Sequence, residues 1–126
     1  MSDDALELLA LDWANDIRER PLPHGMLGGW DDEHGVIYLS SRLSPVQRRC
    51  VLAHEISHAR HRDVGCRADA WSERRADMDA ARMLVSPVEY AMLERINDDP
   101  TWIAHESDLL TWVITAYRDL LHDRAA

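Results

Sequence analysis

The stretch "CVLAHEISHA", residues 50–59, sets two histidines and a glutamate into an otherwise largely apolar run, and nothing else in the chain constrains the fold as tightly. A helix that is apolar on nearly every side has to be buried. Burying imidazoles and a carboxylate without partners costs on the order of several kcal/mol, so the fold must bring partners to them. Helix geometry says which partner would serve. Residues four apart differ by about 40° around the axis and about 6 Å along it. His54 and His58 can therefore both reach one metal ion at about 2 Å from each ring. Glu55 projects to the side, where it can act on a water instead of the ion. This H-E-x-x-H arrangement places two ligands and a general base on one helix.

Cues on either side locate that helix. Ser44, Pro45 and Gln47 supply an N-cap, a first-turn proline and a capping-box partner, which predicts a helix over 44–62 with the histidines in its middle. Near the start, Ser2 followed by Asp3 and Asp4 opens a helix. The recurrence of Leu6, Leu9, Trp13 and Ile17 extends it over 1–20, until Pro21 stops it. Segment 22–41 alone has strand character. Its Val36–Leu39 run is β-prone and the Gly-ended "DDEHG" before it suits a hairpin connection, which predicts two strands and a short third. After the turn "RDVGCRAD", a helix is expected over 70–85. "SPVE" at 86–89 opens another, "NDDP" at 97–100 breaks the chain, and a helical tail follows over 101–122 with Leu109, Val113, Ala116 and Leu120 inward. The expected architecture is one α+β domain spanning 1–126, mostly helical, with the small sheet beside the histidine helix.

A zinc site needs a third protein ligand, and keeps its fourth position open when it is catalytic. His61 shares a face with His54 and His58 but lies about 4.5 Å further along the axis than His58, which leaves it on the surface unless the helix breaks. Asp63, Cys66 and Asp69, in the turn, stay open as ligands. Glu73 is better placed: Ala76, Ala80, Met83 and Leu84 form the next helix's inward stripe, and Glu73 continues it. Asp77, one turn later, is positioned to accept the outer N–H of a ligand histidine, fixing its tautomer and raising its basicity. The competing interpretation pairs Glu73 with a local arginine on a solvated face.

With "RRCVLAHEISHARH" and, after a variable turn, "ERRADMDAARMLVSP", the chain resembles the ImmA/IrrE family of metallo-endopeptidases, which are compact zincins. "GVIYLS" also resembles the strand that precedes that family's active-site helix. The resemblance is specific over about residues 36–87. It implies a zincin-like fold, Glu73 as the third zinc ligand, Ala76 and Asp77 as the family's Ala-Asn/Asp pair, and Ala80 and Ala81 as its small pair. Two positions depart from the pattern. Asp79 stands where the family has a large aromatic, in a chain without phenylalanine, and Ser86 displaces the usual proline to Pro87. By helical arithmetic Asp79 points away from Glu73, beside Arg75 and Arg82, and is expected at the surface.

The implied activity is zinc-dependent peptide-bond hydrolysis, with Glu55 moving the proton from water to the leaving amine. Tyr38, Tyr90 and His105 stand as equal candidates for the donor that steadies the oxyanion, and the strand at 36–40 for an edge that an extended substrate could join. The resemblance further implies that the protein substrate is a helix-turn-helix transcriptional repressor. A non-catalytic, zinc-containing regulatory module of the same fold is the alternative, though a purely structural site has no use for Glu55. A metal-free helical DNA-binding or toxin-type module is a third. The net charge of −9 opposes contact with a phosphate backbone, so direct nucleic-acid binding is not expected. Cys50 and Cys66 form no CxxC pair, the chain opens acidic, and no apolar run is long enough for a membrane span. A cytoplasmic protein with free thiols is the expectation.

Overall fold

The computed structural model describes residues 1–64 and 69–125; Cys66 and the middle of the turn expected at 62–69 lie outside them. The described residues form an α+β fold of six helices and a three-stranded mixed sheet. In chain order these are α1 (Asp3–Ala10), β1 (Asp16–Arg20), β2 (Gly28–Asp31), β3 (Val36–Ser40), α2 (Pro45–His61), α3 (Ala70–Leu84), α4 (Pro87–Ile96), α5 (Pro100–Glu106) and α6 (Thr111–Ala125). A single turn of 3₁₀ helix, Pro23–Gly25, joins β1 to β2.

The start of the chain departs from expectation. Ser2 does cap α1, its side chain accepting from the Ala5 amide at 3.1 Å, but the helix ends at Ala10 instead of running to 20. Residues 16–20 are a strand, paired in parallel with β3 from Asp16 opposite Val36 to Arg20 opposite Ser40. The Asn15 amide is held by the Gly35 carbonyl at 2.7 Å, which turns the chain into the sheet. Leu6 and Ala10 are buried as the helical period requires, whereas Trp13 is half exposed, with the Arg60 guanidinium over its ring. The reason is non-local: a parallel strand gains its hydrogen bonds from a partner twenty residues on, which outweighs the weak β-propensity of "DIRER". Its charged residues suit a sheet edge, which they protect from further pairing.

The predicted hairpin is present. β2 runs antiparallel to β3, and the connection closes with Gly35 at φ +68° and with the Asp31 side chain accepting from the Glu33 and His34 amides. The sheet order is β1-β3-β2, so β3 is the central strand. It has no free edge to offer a substrate. Among the described residues, the edge left free beside the histidine helix belongs to β2.

α2 is the structural axis. Its N-terminus carries the full capping box, Ser44 Oγ accepting from the Gln47 amide and Gln47 from the Ser44 amide. From Cys50 to Ala59 every residue but His54 is buried. One side contributes Leu52, Ala53 and Ile56 to a core shared with α1 and the sheet; Cys50 reaches a second core built from α3 to α6. Leu109, Val113, Ala116 and Leu120 face that second core as their spacing predicts, so the tail packs as α5 and α6 against the rest. Fully buried Ala76 and Ala80 present small side chains on α3, which lets its axis come close to α2.

Candidate metal centre

α2 and α3 together create the site. Asp69, weighed above as a ligand, instead caps α3 by accepting from the Ser72 amide at 2.8 Å. That start puts Glu73 in the first turn, where the helix dipole favours a carboxylate, facing the middle of α2. Glu73 Oε2 lies 3.1 Å from His54 Nε2, Glu73 Oε1 lies 2.9 Å from His58 Nε2, and the two Nε2 atoms are 3.1 Å apart. These three residues form the one group of possible metal ligands among the described residues. Glu73 is less enclosed than its place on an inward stripe suggests: its side chain is 49% exposed, so the cluster opens to solvent on that side.

The outer nitrogens bear on what this cluster could hold. His54 Nδ1 donates to Asp77 Oδ1 at 2.8 Å, and His58 Nδ1 donates to Asp63 Oδ2 at 2.8 Å. A carboxylate only accepts, so each Nδ1 holds a proton, which in a neutral ring leaves Nε2 with a bare lone pair turned inward. With both rings in that form, two such nitrogens and the Glu73 carboxylate converge with no donor among them. One proton can serve a single pair at most, whereas a cation serves all three. A tetrahedral ion with protein bonds near 2.05 Å spaces its ligand atoms by about 3.3 Å, close to the separations found. The residues fit a divalent metal with one carboxylate and two imidazole ligands. Carboxylates behind both rings are the usual means of orienting metal-binding histidines.

Asp63 was a ligand candidate; its place is behind His58 instead. The helix ends at His61 because Arg62 adopts the left-handed conformation (φ 55°, ψ 42°), and the reversed chain carries Asp63 back to His58. Arg75 on α3 forms an ion pair with the same carboxylate. His61 stays outside the cluster, exposed and 3.3 Å from Asp79. Asp79 corrects the expectation of a surface residue: it accepts from the fully buried Ser57 hydroxyl at 2.7 Å and from Arg82 at 2.8 Å. The helical arithmetic correctly turned it away from Glu73, but the face it occupies is a second α2–α3 contact.

Glu55 is 6% exposed and lies beside the cluster, toward β2. Burial raises its pKa above the ordinary carboxylate range; the two histidines oppose that shift and the Glu73 charge adds to it. For His54, burial disfavours the charged ring, but the Asp77 hydrogen bond and the charges of Glu55, Glu73 and Asp77 outweigh it, and its pKa is raised. Gly28 brings β2 against this part of α2. A Cβ there would meet Val51 Cγ1 at 2.7 Å and Glu55 Cγ at 3.3 Å. The tandem glycines of an otherwise β-prone segment are the sequence signal for such an approach.

Leu27, Gly28, Val51 and Trp112 join His54 and Glu55 around a cavity of about 330 Å³. Trp112 was not singled out from sequence, although it precedes buried Ala116 by four residues and so shares the inward side of α6. None of the three proposed oxyanion donors lines this cavity. Tyr38 alternates away from buried Ile37 and Leu39, and its ring lies under the Arg20 guanidinium at 5.1 Å. Tyr90 is committed to the second core, its hydroxyl donating to Glu94 and accepting from Arg118. His105 is exposed on α5.

No helix among the described residues is long and apolar enough to cross a membrane. No curated protein matches the chain. A family model does: residues 15–95, well over half the chain and all of the cluster, match the IrrE N-terminal-like domain of the M78 peptidases. The chain belongs to this M78 peptidase family.

Proposed function

We propose that the protein is a zinc-dependent endopeptidase whose substrate is a helix-turn-helix transcriptional repressor, cleaved to relieve repression in a reducing cytoplasm. The observation that carries the catalytic part is the convergence of His54, His58 and Glu73 on one point, open to solvent, with buried Glu55 alongside. His54, His58 and Glu73 would hold the metal, and Asp77 and Asp63 would keep the two rings in the tautomer that binds it. When bound, zinc supplies a Lewis acid that polarises the scissile carbonyl and makes a water acidic enough to attack at neutral pH. Glu55 takes the proton of the attacking water and passes it to the leaving amine. Its raised pKa brings it closer to neutrality, where a group that must first accept and then return a proton works best. β2, an edge strand among the described residues whose Gly28 lines the cavity beside Glu55, offers backbone that an extended peptide could join. The repressor as substrate rests on the family resemblance alone.

Zinc content and repressor cleavage are measured together for the native chain and for Glu55→Gln. Near-stoichiometric zinc in both, with cleavage by the native chain only, is the expected outcome. Equal cleavage by both removes Glu55 as the base, and a native chain that takes up no zinc removes the metal site.

A further inference from the structure

Two hollows meet at the histidine–glutamate cluster. His54 and Glu55 open into the 330 Å³ cavity already described. Glu73 opens into a groove of about 650 Å³ between α3 and α6. Asp77 and Trp112 belong to both, so they form the divide over which the cluster sits. The smaller cavity is thus within reach of a side chain on one flank of a scissile bond held at the cluster.

The cavity wall says what that side chain is. Most of its free surface is apolar: Leu27, half exposed at 49%, together with Val51, the Gly28 backbone and the Trp112 ring. Of its polar groups, Asp77 is engaged on His54 and His54 on the cluster, which leaves the buried Glu55 carboxylate, assigned above to the attacking water. The Trp112 ring stands at 87° to the His54 ring with centroids 6.0 Å apart, so it forms a side wall and does not cap the cluster. Trp112 also lies beyond the residues matched to the family, on α6. We propose that this cavity is a specificity subsite for an aliphatic or aromatic side chain flanking the scissile bond, with Trp112 and Leu27 as the selecting walls. The proposal rests on the endopeptidase assignment and adds to it a substrate class.

The test is calorimetric and needs no substrate. Short peptide hydroxamates carrying leucine, alanine, lysine or glutamate next to the chelating group are titrated into zinc-loaded protein, with zinc content measured alongside. Leucine should bind about tenfold or more tighter than alanine, as expected when extra carbons enter an apolar site, and lysine and glutamate should bind no better than alanine. Trp112→Ala should collapse the leucine preference at unchanged zinc content, and Trp112→Phe should retain most of it. Leu27→Asp, on the exposed rim, should weaken the preference in a chain that still folds if Trp112→Ala does not. A flat ranking, a preference for lysine, or a preference that survives both Trp112→Ala and Leu27→Asp overturns the subsite while leaving the metal site standing. Failure to take up zinc overturns both.

Discussion

α2 and α6 each bury a row of side chains against the rest of the molecule, yet they deliver chemistry to the site in different ways. α2 carries two of the three groups that could hold a metal, and the neighbouring Glu55, within five consecutive residues, where the helical repeat alone sets their spacing. α6 delivers one ring, Trp112, and its position depends on how the helix packs along α3 and α5. The cluster is thus a product of local geometry plus one long-range contact, the approach of α3. The cavity wall is a product of tertiary packing throughout. Chemistry placed by a helical repeat tolerates changes elsewhere in the fold, whereas a wall placed by packing is free to differ between chains that share the same cluster.

Four measurements probe this contrast. Glu55→Gln has the largest expected effect, a fall in the cleavage rate of about 10²–10⁴-fold with zinc retained; it tests whether the local motif alone provides the base. Ile103→Ala, in the fully buried contact between α5 and the second core, should cost about 2–5 kcal/mol of stability in denaturant unfolding. Zinc affinity of the molecules that remain folded should change little, and a large loss would show that the C-terminal packing holds the cluster together after all. Asp77→Ala and Asp63→Ala should each weaken zinc binding by about 10–100-fold in chelator competition. Asp63→Ala should also lower stability further, because Arg75 is then left partly buried without its counter-charge. Smallest is Ser44→Ala, about 1 kcal/mol in thermal or denaturant unfolding, from loss of the cap that starts α2.

The errors of sequence-based prediction divide along the same line. Capping residues, the histidine spacing, the hairpin turn and the inward stripe of α6 were legible because each depends on residues within a few positions of one another. β1 was not, because Ile17 fits the helical period of α1 as well as it fits a strand, and only the parallel pairing with β3 decides between them. The supposed substrate edge at 36–40 failed for a related reason: strand order is invisible in a run of β-prone residues. Asp63 could not be placed behind His58 without knowing that Arg62 turns left-handed, a conformation that arginine gives no reason to expect.

By itself the sequence determined that two imidazoles would share one face of a buried helix with a carboxylate beside them, because a 3.6-residue repeat and an apolar surround leave little choice. It also marked Glu73 and Asp77 as facing inward on the next helix. Only the tertiary structure decided which carboxylate backs each ring, that Gly28 seats β2 against Glu55, and that Trp112 closes the side of the cavity. These depend on contacts between residues far apart in the chain, and such contacts follow from how whole elements pack, which no local pattern encodes.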